Sequence, residues 1–167
     1  MNSLIKSVFM AFIIISSFNL LIAQNISDKK SIRKHELLLF KNKFKGKWNI
    51  QWDEKTGTIK SLMGDKITKY KGSVEKIAED FFTENKSLLG IENFSEQLWL
   101  KEKRYPSSGG NCLLFNQHYK GIPILGGGYL IAINNYGEIY YLTGDFYPEI
   151  KIEIDKKISP ETVYSNS

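Results

Sequence analysis

Polar and apolar side chains alternate through the segment that contains Trp48, Ile50 and Trp52, which therefore share one face of an extended chain. This period of two is typical of a half-buried β-strand. The polar stretch Asp53–Gly57 has the composition of a turn, and Thr58–Met63 then predicts the returning strand. The pattern indicates a β-hairpin.

The segment from Ser73 to Asn85 has the pattern of an amphipathic helix. Its apolar residues recur at intervals of three and four, which places them on one face. Ser73 can accept a hydrogen bond from an open backbone amide, and Glu75 suits the positive end of the helix dipole. Gly90 predicts a left-handed stop a few residues after the helix. The predicted buried face consists of Val74, Ile77, Ala78, Phe81 and Phe82.

Beyond Gly90 the chain changes to short strands that are separated by turn residues. Successive strands with tight connections favour an antiparallel meander. The predicted fold is therefore α+β, an antiparallel sheet packed against one amphipathic helix. The predicted strands are Gln97–Lys103, Cys112–Tyr119, Gly128–Asn134, Glu138–Thr143 and Ile150–Ile154. The predicted connections are Ser107–Gly110, Lys120–Gly127, Asn134–Gly137 and Gly144–Pro148.

Residues 1–23 have the pattern of a secretory signal peptide. Lys6 provides the positive start, Val8–Ile15 is an unbroken apolar run, and Ala23 precedes the expected cleavage before Gln24. The run is shorter than the roughly 20 apolar residues of a transmembrane helix, so a signal is favoured over an anchor. We expect a secreted, periplasmic or extracellular protein that keeps no stable membrane anchor after cleavage.

Residues 24–46 are expected to form a basic lead-in that is poorly ordered in part. The chain carries a net charge of +5, and loss of the signal removes one lysine and no acid, which leaves +4. The basic residues concentrate between Lys29 and Lys47, where they suit an acidic surface or phosphate, or simply a solvated flank. No helix-turn-helix or RNP pattern accompanies them, so nucleic-acid binding is not expected. Within this region Leu37–Phe44 fits either a short strand or a helix.

Histidine and cysteine are too few for the common zinc sites. The chain has 2 His and 1 Cys, and the segment that begins His35-Glu36 ends in Leu39 where a zinc helix needs a second histidine. Cys112 is expected as a buried small side chain rather than a nucleophile, since His118 on the same strand would lie roughly 20 Å away. The acidic residues Asp53, Glu54, Asp65, Asp80 and Glu84 show no spacing of an acid/base pair.

The run from Phe115 to Leu130 contains an aromatic-rich strand followed by Tyr-x-Gly-Ile-Pro-x-x-Gly-Gly, and a glycine turn and a strand ending in glycine come next. This order resembles the fungalysin/thermolysin propeptide motif, and the stretch Trp52–Leu89 is similar to the start of such propeptides. The resemblance implies a propeptide domain over residues 47–155. The motif's glycines and proline suit turns and strand ends, so they are expected to shape the fold, with a possible protease contact. The motif residues are Tyr119, Gly121, Ile122, Pro123, Gly126, Gly127, Gly137 and Gly144.

Propeptides of this family precede the catalytic domain of secreted zinc metallopeptidases, cover its cleft, assist its folding and are then removed. The resemblance therefore implies a non-catalytic chaperone and inhibitor whose partner is a metallopeptidase domain, in cis or in trans. It implies no catalytic, metal or cofactor residue in this chain, since the zinc belongs to the peptidase domain. A PepSY domain follows in such precursors, and residues 156–167, with the helix start Ser159-Pro160-Glu161, are expected as its truncated first helix.

Two modes of action remain open from the sequence. In the first, a sheet edge or the loops Lys120–Gly127 and Gly144–Pro148 enter the peptidase groove by strand addition. In the second, the chain is a free-standing secreted module whose aromatic residues bind a peptide or a glycan. Core packing also explains most of these aromatics. They are Trp48, Trp52, Trp99, Tyr140, Tyr141 and Tyr147.

Overall fold

The computed structural model describes residues 34–107 and 109–153. The expected signal peptide and the expected PepSY-like helix lie outside the described residues. The helical segments are α1 at residues 34–43, α2 at Val74–Glu84, α3 at Lys86–Leu89 and α4 at Phe94–Gln97. The strands are β1 Trp48–Trp52, β2 Ile59–Ile67, β3 Leu98–Arg104, β4 Asn111–Tyr119, β5 Ile122–Ile133 and β6 Ile139–Asp145. The predicted α+β class is confirmed.

One antiparallel sheet contains all six of these strands in the order β1-β2-β6-β5-β4-β3. Strands β3 to β6 form the predicted meander, and the β1–β2 hairpin joins it where β2 pairs with β6. In register across the four inner strands lie Leu62, Leu142, Ile131 and Leu113, each fully buried. This row lies on the face that the helices cover.

Helix α2 has the predicted ends and packs its predicted stripe on the sheet. The Ser73 hydroxyl accepts a hydrogen bond from the amide of Lys76 at 3.2 Å and caps the helix. The ring of Phe82 lies 5.2 Å from that of Phe115 and 5.9 Å from that of Tyr129. Gly90 has φ of 75° and ends α3 as the predicted left-handed stop. Burial of the aromatic stripe therefore holds α2 to strands β4 and β5.

The apolar segment Leu37–Phe44, which fits either a strand or a helix from its sequence, is largely helical, with residues 37–43 in α1. Phe40 is 2% exposed and Phe44 is 7% exposed, and both belong to the main hydrophobic core. The indole of Trp48 packs edge-on against Phe40 and donates a hydrogen bond to the carbonyl of Phe44 at 2.8 Å. The folded unit thus includes residues of the basic segment and begins upstream of the expected start at Lys47.

Two predicted segments are wrong, and β2 continues to Ile67, beyond its predicted end at Met63. Residues 150–153 form no strand, and Ile152 is 62% exposed. The alternation of isoleucines there suits a strand, but β6 already pairs with β5 and β2, and the chain leaves the sheet after Asp145. The second difference concerns Lys120–Gly127, most of which belongs to β5 and not to a loop.

Candidate functional site

Strands β4 and β5 are joined by a tight hairpin at the start of the propeptide-like motif. Tyr119 pairs with Ile122, so that only Lys120 and Gly121 form the turn. Both have positive φ, 50° and 79°, as a type I′ turn requires. Glycine adopts this conformation without strain, which explains Gly121.

Strand β5 bulges away from β4 directly after this turn. Pro123 pairs with His118 and Gly128 pairs with Asn116, so that the four residues between them oppose Gln117 alone. Pro123 has no amide hydrogen to donate where the two strands part. Leu125 lies within the bulge and is 100% exposed. The bulge thus presents an apolar side chain to solvent on backbone that is held at both ends.

Gln117, which lies opposite the bulge, makes its side-chain hydrogen bonds to the segment that follows β6. Its side chain is on the core face and the residue is only 1% exposed. The amide nitrogen Nε2 donates to the carbonyl of Tyr147 at 2.7 Å, and Oε1 accepts from the amide of Tyr147 at 3.0 Å. The backbone of Gly127 packs against the side chain of Gln117, and a Cβ on residue 127 would lie 2.9 Å from Oε1 of Gln117. Gln117 and Gly127 therefore fix the bulge against the segment that follows β6.

A groove of about 560 Å³ lies beside the bulge. Its apolar floor includes Leu114 and Leu130, which alternate with core residues and so face away from the helices. Lys101 and Asp145 add opposite charges to its lining, and Leu125 lines it from the bulge. The groove therefore combines an apolar floor with one positively and one negatively charged residue in its lining.

The structure brings together most of the motif residues. Pro123, Gly126, Gly127 and Gly144 all line the groove. Tyr119, Gly121 and Ile122 form the adjoining hairpin end, where Ile122 is 46% exposed. Gly137 lies apart, in the turn that precedes β6 at the opposite end of that strand from Gly144.

A stacked pair of rings lies near the same end of β4. The indole of Trp99 on β3 stacks on the imidazole of His118, with centroids 4.0 Å apart and an angle of 24°. Trp99 donates a hydrogen bond to the carbonyl of Ser95 at 3.0 Å and remains 46% exposed. The stack was not predicted, since only strand pairing brings residue 99 beside residue 118. Cys112 is partly buried and pairs with Ala132.

The aromatic residues of the alternative interpretation divide into two groups. Trp48 and Trp52 are partly buried and pack against the core. Trp99 is half-exposed, and Tyr147 is 40% exposed. Tyr140 and Tyr141 are partly buried, as Trp48 and Trp52 are.

Four of the five carboxylates singled out from the sequence have hydrogen-bond or ion-pair partners. Asp53 accepts hydrogen bonds from the amides of Thr56 and Lys55, which lower the pKa of its carboxyl group. Asp65 accepts from the amide of Lys47, Asp80 pairs with Lys76, and Glu84 pairs with Lys43 and Lys69. Glu54 is exposed in the β1–β2 turn.

Three further findings bear on the class of protein. Within residues 34–107 and 109–153, no group of three or more His, Cys, Asp and Glu side chains is placed to hold a metal ion. In the same part of the chain, no helix has the length and apolar character needed to cross a membrane. No family model matches the chain, and no solved structure matches it. The propeptide resemblance therefore stays a prediction.

Proposed function

We propose that this chain is a non-catalytic propeptide-type module of a secreted zinc metallopeptidase. It binds the catalytic domain in cis or in trans, covers the substrate cleft and assists folding of that domain. The proposal rests on the resemblance of residues 115–144 to the propeptide motif. The observation that carries the proposal is the position of Leu125, which is 100% exposed and lines the groove beside the β5 bulge.

The hairpin end is suited to contact a cleft because its shape is set before binding. The two-residue turn, the Gln117 hydrogen bonds and the close cover by Gly127 hold the bulge in place. A held segment loses little conformational entropy when it binds, so more of the contact energy appears as affinity. Ile122 and Leu125 supply the apolar side chains of this contact.

Insertion of the hairpin end is a better mechanism than strand addition. Both edge strands of the sheet have an irregular register, in β3 between Leu100 and Glu102 and in β1 between Gln51 and Trp52. Irregular registers of this kind interrupt the row of backbone groups that an added strand requires. The contact surface we propose is therefore the β4–β5 end, with Ile122 and Leu125 entering the cleft.

Inhibition and refolding assays test this proposal. The purified chain from Gln24 onward is mixed with a thermolysin-like peptidase, and hydrolysis of a peptide substrate is measured at increasing concentrations of the chain. We expect saturable inhibition, and a higher yield of active peptidase when the denatured enzyme is refolded with the chain. If the chain neither slows hydrolysis nor raises the refolding yield, the proposed function is wrong.

The second candidate is a free-standing module that binds peptides or glycans. Its support is the exposed Trp99 ring, which His118 holds in one orientation beside a hollow of about 450 Å³. Aromatic rings with few rotatable bonds give large contacts at small entropic cost. Glycan-array binding that is lost in Trp99→Ala but kept in Leu125→Ser would favour this function over the first.

A further inference from the structure

Helix α1 exposes two leucines on the side that faces solvent. Its inner side places Phe40 in the core. On the outer side, Leu38 is 57% exposed and Leu39 is 48% exposed, and His35 and Asn42 lie between them on the helical wheel. The outer side of α1 thus exposes two large apolar side chains about 100° apart around the helix axis, with polar residues between them.

Lysines flank these two leucines. Lys34 and Lys41 are exposed along one side of the two leucines, and Lys45 is exposed just after the end of the helix. Lys43, on the other side, is engaged with Glu84 at 2.6 Å. Glu36 is the acidic residue within α1, and it is partly buried on the side toward the core. The outer face therefore combines apolar and positively charged groups.

From this arrangement we infer that the outer face of α1 docks reversibly on an anionic phospholipid surface. Helices that lie in the membrane interface present leucines between lysines, so that the leucines reach the acyl boundary while the lysines contact lipid phosphates. The positive charge complements the anionic headgroups. An acidic protein would satisfy the lysines equally well, but it would need a matching apolar pocket for each of the two separated leucines, whereas the acyl boundary of a bilayer receives them without one.

This surface is separate from the proposed peptidase contact. Helix α1 packs near β1 through Phe40 and Trp48, whereas the hairpin end joins β4 and β5 toward the other edge of the sheet. A propeptide-type module that docks through α1 would leave its hairpin end free for the peptidase. Docking of this kind differs from a membrane anchor, because the side chains of an interfacial helix reach only the boundary between the headgroups and the acyl chains.

Vesicle co-sedimentation tests the inference. The chain from Gln24 onward is incubated with phosphatidylcholine vesicles that contain or lack phosphatidylglycerol, at low salt and at about 0.15 M salt. We expect binding only to the anionic vesicles, weaker at the higher salt. The test variants are Leu38→Ser/Leu39→Ser and Lys34→Gln/Lys41→Gln/Lys45→Gln. The matched controls are Met63→Ser/Ile152→Ser and Lys55→Gln/Lys71→Gln/Lys86→Gln, which change exposed residues elsewhere.

The variants have distinct expected effects. A lysine near an anionic surface strengthens binding by about fivefold, so the triple lysine variant is expected to bind about a hundredfold more weakly. The leucine variant is expected to bind about tenfold more weakly, and both controls should bind as the unaltered chain does. Absence of binding to anionic vesicles at low salt would overturn the inference, as would equal binding to neutral vesicles.

Two further outcomes are informative. If the leucine variant binds anionic vesicles as well as the unaltered chain, the contact is purely ionic and the docking of the helix face is refuted. If the chain binds immobilised polyglutamate but not the vesicles, the partner is an acidic polypeptide and the lipid assignment is wrong. Far-UV circular dichroism of every variant establishes that the fold is retained.

Discussion

Strands β5 and β6 approach each other so closely at Gly144 that no side chain fits there. A Cβ on residue 144 would lie 2.0 Å from the carbonyl oxygen of Gly128, where real Cβ contacts are essentially never below 3.0 Å. Gly144→Ala must therefore push the strands apart by about 1 Å, because the obstructing atom belongs to the backbone. Overpacking costs about 1–3 kcal/mol, and two weakened ladder hydrogen bonds add about 1 kcal/mol each. We expect a loss of about 3–5 kcal/mol in the free energy of unfolding.

Gly126 provides the matched control in the same motif. Its φ is 76°, and a Cβ there would meet no atom within 4 Å. Gly126→Ala should therefore cost only the strain of a left-handed alanine, about 1–2 kcal/mol. Urea unfolding followed by circular dichroism gives both values by linear extrapolation. Equal losses in the two variants, or an unchanged stability in Gly144→Ala, would refute the conclusion that close strand approach explains the glycine.

Two side-chain contacts lead to further predictions. Gln117→Leu leaves both backbone polar groups of Tyr147 without their partner and is expected to lower stability by about 2–4 kcal/mol in urea unfolding, whereas an unchanged midpoint would contradict this role. For Glu84, partial burial would raise the pKa, but hydrogen bonds from Lys43, Lys69 and a tyrosine hydroxyl outweigh it and lower the pKa to about 2. Because its pKa is lowered, the ionised Glu84 carboxylate stabilises the folded state at pH values above the ordinary pKa of 4.5. This stabilisation is lost as the pH falls from about 4.5 to about 2. Because the side chain of Glu84 is 35% exposed, Glu84→Gln should lower the free energy of unfolding by no more than about 1 kcal/mol at neutral pH. Near pH 2 the substitution should leave stability unchanged. A loss of stability that persists at pH 2 would contradict the role of the ion pairs.

The elements that follow local rules could be predicted from the sequence. The cap at Ser73, the apolar stripe of α2 and the stop at Gly90 all depend on neighbours within a few residues. The β1–β2 hairpin and the meander follow from alternation and turn residues in the same way. Local signals do not determine which distant residues pack together. The sequence of residues 37–44 therefore did not distinguish a helix from a strand, whereas the structure shows Phe40 and Phe44 packed in the core.

The candidate site was only partly predictable because its geometry depends on distant contacts. The proline and glycines of residues 120–127 suggested a loop, but Gln117 pairs with a segment 30 residues away and allows β5 to bulge without ending. A polar residue that alternates with Leu113 and Phe115 on the buried face was a signal for this role. The exposure of Leu125 carried no local signal, because it depends on the direction in which the bulge projects.

The inhibition constant of a hairpin variant tests the central claim most directly. Burial of a fully exposed leucine contributes about 1.5–3 kcal/mol to binding, and 1.4 kcal/mol corresponds to tenfold in affinity. Inhibition of a thermolysin-like peptidase by Leu125→Ser is therefore expected to be weaker by about tenfold or more, while the exposed control Ile152→Ser inhibits as the unaltered chain does. If Leu125→Ser and the unaltered chain give the same inhibition constant, the hairpin end does not enter the cleft and the account is contradicted.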